Sequence, residues 1–99
     1  MSAQHTVLSF GNRVYRIFPD MGLVCDIEDE LGGVAGLAEK FSGQQWKVSE
    51  LASLIHMMLQ SAGQSVDYRL LGNRMMTEGL APYAAAAQNF LKQILGGGA

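Results

Sequence analysis

Cysteine is nearly missing from this 99-residue chain. Cys25 stands alone, which excludes an intramolecular disulfide and a cysteine-based zinc cluster and suits a reducing compartment. Charge is sparse as well, at 16% of residues, and nearly balanced: 7 Lys+Arg against 9 Asp+Glu, for a net charge of -2. A near-neutral, slightly acidic surface exerts no general pull on DNA, RNA or an anionic membrane. Long apolar runs are lacking; the alanines at 84–87 fall far short of the ~20 residues of a membrane span. The opening residues lack the basic-then-apolar order of a secretory signal. Apolar mass, by contrast, is plentiful. At 48% AVILMFWYC the chain is too hydrophobic for intrinsic disorder, and its length supports one core rather than two. The expectation is a soluble intracellular protein folded as a single domain over 1–99.

Patterning divides the chain near Pro19. Before it, β-branched and aromatic residues alternate with polar ones over Thr6–Phe10 and 13–18, and Gly11-Asn12 lies between the two runs. Glycine and asparagine tolerate the positive φ of a two-residue hairpin turn, so an antiparallel hairpin over about 6–18 is expected. Proline cannot donate to a ladder and ends the second strand.

From 20 to about 95 the period is helical. Asp20 is positioned to cap a helix with Leu23, Ile27 and Leu31 on one stripe, stopped at Gly32-Gly33. Val34, Leu37, Ala38 and Phe41 mark a second helix, closed by Gly43. A third runs over about 48–62, with Ser49 as its expected cap, Gly63 as its stop, and Leu51, Leu54, Ile55, Met58 and Leu59 on its apolar face. A fourth, about 66–78, starts near Ser65 or Asp67 and ends at Gly79. Pro82 suits the first turn of a fifth, which turns Tyr83, Ala87, Phe90, Leu91, Ile94 and Leu95 inward. The tail, 96–99, has nothing to pack and is expected to be flexible. A hairpin is marginal alone and must lie on the helices. The fold class expected is therefore mostly α (α+β), a hairpin followed by about five short helices.

Chemistry-bearing patterns are scarce. His56 has Ala52 and Gln60 one turn away on either side, so no i, i+4 metal pair exists, and a polar-face histidine is the expectation. Cys25 lies beside Asp26, Glu28, Asp29 and Glu30, whose carboxylates oppose a thiolate. Those acids lack the alternate-position order of a calcium loop and read as a solvated helix face or a patch for a basic partner. Gly32–Gly36 follows an acidic helix rather than a strand, and no Lys-Ser/Thr follows it, so a phosphate loop is not expected. The helices at 51–62 and 66–78 imitate a helix-turn-helix, but Arg69 and Arg74 are offset by Asp67 and Glu78. No catalytic residue, cofactor site or metal site is expected, and the chain is read as a non-enzyme.

Partner contacts are the remaining possibility. Met57-Met58 and Met75-Met76 are adjacent pairs, so in each one residue turns inward and the other toward an edge. Met58 and Met75 read as core, Met57 and Met76 as candidate contacts. Tyr83 and Trp46 complete the candidate set. Trp46 reads either as an interface anchor or as a plug between the second and third helices.

Taken in order, Met21-Gly22-Leu23, Asp26-Ile27-Glu28, Leu31-Gly32, Gly36-Leu37-Ala38-Glu39-Lys40-Phe41, Val48-Ser49-Glu50-Leu51, Ala62-Gly63 and Gly79-Leu80 carry a resemblance. From about Val7 to Leu95 the chain resembles the small tail-assembly proteins of gene transfer agents and related siphophages. The resemblance implies a tail-assembly chaperone in the cytoplasm of a bacterial host, shielding the apolar stripes of the tape-measure protein or other tail proteins until tube subunits enclose them. It also admits a structural role in the particle, in the tail tube or at the head–tail junction. A single hairpin over helices is a poor tube subunit, which places the chaperone reading first. Neither reading involves nucleic acid or a membrane.

Overall fold

The computed structural model describes residues 5–96. Strands β1 (Thr6–Phe10) and β2 (Arg13–Ile17) pair antiparallel, with Thr6 opposite Ile17 and Phe10 opposite Arg13. Gly11 has a φ of 65° while Asn12 stays at negative φ, so only the glycine supplies the positive angle of the turn. That is the demand of a type II′ turn, with glycine at its first central position. Alternation sends Leu8 and Ile17 into the core and leaves Val7 and Val14 exposed.

Five helices follow: α1 (Met21–Leu31), α2 (Val34–Ser42), α3 (Val48–Ser61), α4 (Tyr68–Glu78) and α5 (Ala81–Ile94). The mostly α (α+β) architecture read from the pattern is the one observed. Asp20 caps α1 by accepting from the Leu23 N–H at 3.3 Å, and Asp67 caps α4 through the Leu70 N–H at 3.1 Å. The start of α3 differs from expectation. Ser49 lies inside the first turn, and the cap position is Lys47. Glu50 takes over the capping work, its Oε1 accepting from the Lys47 N–H at 2.8 Å while its Oε2 holds Lys40 of α2 at 2.9 Å.

α4 begins two residues later than expected because the chain ahead of it is tied to α3. His56 Nε2 and the Val66 carbonyl lie 2.9 Å apart, a hydrogen bond that places the proton on Nε2. His56 is thus a half-buried staple under the α3–α4 connection rather than a residue of the polar face. The ends of α2 and α3 share one device. The Gln45 N–H reaches back to the Lys40 carbonyl at 2.8 Å, and the Gln64 N–H to the Leu59 carbonyl at 2.9 Å. In each the residue before the donor is left-handed: Gly63 at φ 86°, and Gln44 at φ 57°, one residue past Gly43, which closes α2 as its C-cap as expected.

α3 is the axis of the molecule. Leu51, Leu54, Ile55, Met58 and Leu59 have no solvent exposure, and each such side chain contributes about 2 kcal/mol of apolar transfer. α1 packs on α3 with Leu23 and Ile27, α4 with Leu71 and Met75, and α5 with Phe90 and Leu91. The hairpin lies across α5 and α3. Leu95, expected inward, is exposed: it is the C-cap of the last helix and no described element covers it. Gly96 follows, and residues 97–99 of the expected flexible tail lie outside the described residues.

Candidate partner-binding surface

α4 carries two apolar doublets, Leu70-Leu71 and Met75-Met76. Successive helical residues point about 100° apart, so a doublet cannot put both side chains in one core. Leu71 and Met75 are fully buried, which turns Leu70 and Met76 outward at 66% and 56% exposure. Met76 then stands beside the first turn of α3, where a cleft of about 410 Å³ opens between the two helices. Ala52 and Gly72 form its floor, Val48, Tyr68 and Met76 its apolar walls, and Arg69 adds one positive charge. The Tyr68 wall is held in place: its hydroxyl donates to the Ser49 carbonyl at 3.2 Å, and its ring meets His56 edge-on at 6.0 Å.

The other candidates lie elsewhere. Trp46 is half-buried, stacked on Phe41 with ring centroids 6.1 Å apart and planes 17° from parallel. It shares a smaller cavity of about 260 Å³ with Ala81, Ala84 and Ala85, so it fills the seam between α2 and α5 rather than that between the second and third helices. Met57 is a correction. It is 8% exposed, at the base of a cleft beside Arg16, Phe18 and Asp26, because α1 and the end of the hairpin close over that side of α3.

Tyr83 is a second correction, at 4% exposure. Its hydroxyl donates to Glu78 Oε1, and Glu78 Oε2 pairs with Arg74 Nε at 2.9 Å. Burial, with the Glu78 carboxylate beside it, pushes the Tyr83 phenol up to about 12. The Tyr83 hydroxyl, and after it the Arg74 guanidinium, hold the Glu78 carboxyl below its ordinary range. Arg74 also lies over the Phe10 ring, 5.1 Å from its centroid. Tyr83 therefore belongs to a clasp that joins α5 to α4 and α4 to the hairpin.

The four expected contacts are thus not one site. Of the residues that line the α3–α4 cleft only Met76 was an expected contact; Val48, Ala52, Tyr68, Arg69 and Gly72 are among those that were not, and the legible signal was the pair of doublets on α4. The acids of α1 lie on its outward arc, all exposed, with Cys25 among them. Among the described residues no three of His, Cys, Asp and Glu come together as a metal set would. No helix among them is long and apolar enough to cross a membrane.

Comparison with known proteins gives one family. The family described as phage tail tube protein, GTA-gp10, matches residues 3–97. No curated protein and no solved structure matches the chain. With a match that leaves only two residues uncovered at each end, the chain belongs to that family.

Proposed function

We propose that this phage tail protein acts as an assembly chaperone, holding an apolar helical stripe of the tape-measure protein until tube subunits enclose it. The observation that carries this reading is the α3–α4 cleft, with its apolar walls and small-residue floor. A floor of Ala52 and Gly72 lets a helix backbone approach closely, and Val48, Tyr68 and Met76 supply apolar contact on either side. Met76 adds an unbranched, polarizable side chain that adapts to sequence variation along a long cargo. The action is reversible binding with no covalent step, carried out in the host cytoplasm, and its partners are other tail proteins rather than nucleic acid or lipid.

The family description favours a second reading, in which the chain is itself part of the tail. The β structure of the described residues is one two-stranded hairpin, whereas a strand-built tube wall needs a sheet continuing from subunit to subunit. A structural role would therefore rest on helical contacts, at the tube or at the head–tail junction.

Co-expression with the tape-measure protein separates the readings. The chaperone reading expects a soluble complex that is lost on adding tube subunit, with this chain absent from finished particles. Met76→Asp and Val48→Asp, both at exposed positions, are expected to keep the fold and weaken capture at least about tenfold. Fixed copy number in purified particles, with no capture of the tape measure, overturns it in favour of the structural reading.

A further inference from the structure

Charge is divided along this chain in a way that its net value conceals. Residues 20–31 hold five acids, Asp20, Asp26, Glu28, Asp29 and Glu30, and no base. The rest of the chain holds seven bases and the other four acids, so a segment of charge -5 is set against a body of +3. Two of those four acids are engaged by Lys40 and Arg74, and Asp67 caps α4. Among the described residues, Arg69 at the α3–α4 cleft has no carboxylate within ion-pair distance, and neither does Lys47, next to Val48. The cleft is apolar inside and positive at its edge.

The outward ridge of α1 has the complementary character. Met21, 71% exposed, and the exposed Cys25 follow one another at helical i, i+4 spacing. Asp29 and Asp26, exposed on one side of that ridge, have no basic partner within ion-pair distance among the described residues. α1 is capped at its start and buries Leu23 and Ile27 against the protein's own core, so this ridge is presented on a fixed support.

We infer that the occupant of the α3–α4 cleft in the free protein is α1 of a second copy, with Met21 between Val48, Tyr68 and Met76 and with Asp26 and Asp29 facing Arg69. Donor ridge and acceptor cleft are different surfaces, so every copy offers both. The contact is head-to-tail, and it propagates into a ring or an open chain instead of stopping at a symmetric dimer. It covers the same cleft that the tape measure is proposed to enter, so self-association and cargo compete. The inference does not depend on that cargo: it concerns the chain alone.

Sedimentation of the full chain tests it. Self-association is expected at low ionic strength and is expected to weaken at least about tenfold toward 1 M salt, where screening shortens to about 3 Å. Arg69→Glu disables the cleft, and the double change Asp26→Lys, Asp29→Lys disables the ridge. Each variant alone is expected to be monomeric. Their equimolar mixture sets an acidic ridge against a basic cleft and a basic ridge against an acidic cleft, and is expected to recover association that neither variant shows alone. Circular dichroism checks that both retain the helical fold, and Met21→Ser provides an uncharged disruption should a charge reversal fail to fold.

A wild-type chain that stays monomeric at low salt overturns the inference, as does association that survives both variants. A monomer that still captures the tape measure would refute self-docking and leave the chaperone reading standing. Salt-sensitive, variant-sensitive association without capture would do the reverse.

Discussion

Tyr83 and the methionines show how a single residue's environment decides its role. Tyr83 reads both as an inward residue of the fifth helix and as a candidate contact, and its buried ring, with a hydroxyl that serves Glu78, bears out the first reading. Tyr83→Phe keeps the ring and removes that hydrogen bond, and is expected to cost about 1 kcal/mol, seen as a lower urea midpoint at neutral pH. The pH dependence has a definite sign. With the native phenol raised from 10.0 to about 12, the folded protein holds that proton more tightly than the unfolded chain. Its contribution to stability is complete below pH 10 and is lost as pH rises toward 12. The difference in tyrosinate absorbance between wild type and Tyr83→Phe is therefore expected to rise with a midpoint near 12. Among the methionines the contrast is one of burial. Met58→Ala is expected to cost about 2–5 kcal/mol in chemical denaturation, while Met76→Ala, on an exposed position, stays within about 0.5 kcal/mol.

Helix ends are where elements departed from the pattern, and each departure has a local cause. Ser49 resembled a cap, but Glu50 reaches back to the Lys47 N–H and simultaneously holds Lys40, joining α2 to α3. Glycine marked the ends of both α2 and α3, but one step apart: in α3 Ala62 is the C-cap and Gly63 is left-handed, whereas in α2 Gly43 is the C-cap and Gln44 falls in the left-handed region. A non-glycine residue there costs about 1–2 kcal/mol. Gln44→Gly is accordingly expected to raise the thermal midpoint, with a gain of about 1 kcal/mol once the greater freedom of unfolded glycine is counted. Gly63→Ala, at the matching position of α3, is expected to lower stability by about 1–2 kcal/mol in the same assay. Opposite outcomes at the two homologous positions distinguish backbone strain from a general effect of loop substitution.

At the scale of the molecule, one core runs through every element, from Leu8 of the hairpin to Leu91 of α5. Cooperative unfolding follows from that continuity. Trp46 rests on Phe41, itself in the core, so its fluorescence and the helical circular dichroism are expected to report the same transition in urea. Two separated midpoints would show the α2–α5 seam opening ahead of the rest. The functional surface also emerges only at this scale. Val48 and Met76 are 28 positions apart in sequence and become opposite walls of one cleft because α4 folds back along α3. The charge division between α1 and the remaining chain was present in the sequence. That Arg69 ends beside an apolar cleft, and Met21 on an uncovered ridge, was not.

What the sequence by itself determined was local and periodic. Alternation defined the hairpin, three- and four-residue spacing defined five helices, Asp20 and Asp67 marked caps, and an ordered series of short motifs pointed to a tail-assembly family. These are readable because backbone geometry repeats within a few residues and because burial of one face imposes a period on the side chains. Tertiary structure decided which apolar residues outside the main stripes stay exposed. Met57 and Met76 are both edge methionines by phase, but α1 and the hairpin cover the first, while nothing described covers the second. Tyr83 and Trp46 were settled in the same way, by the neighbours that helix packing brought to them. Exposure at the margin of a helical stripe depends on the adjoining element, and helical phase carries no record of where that element will lie.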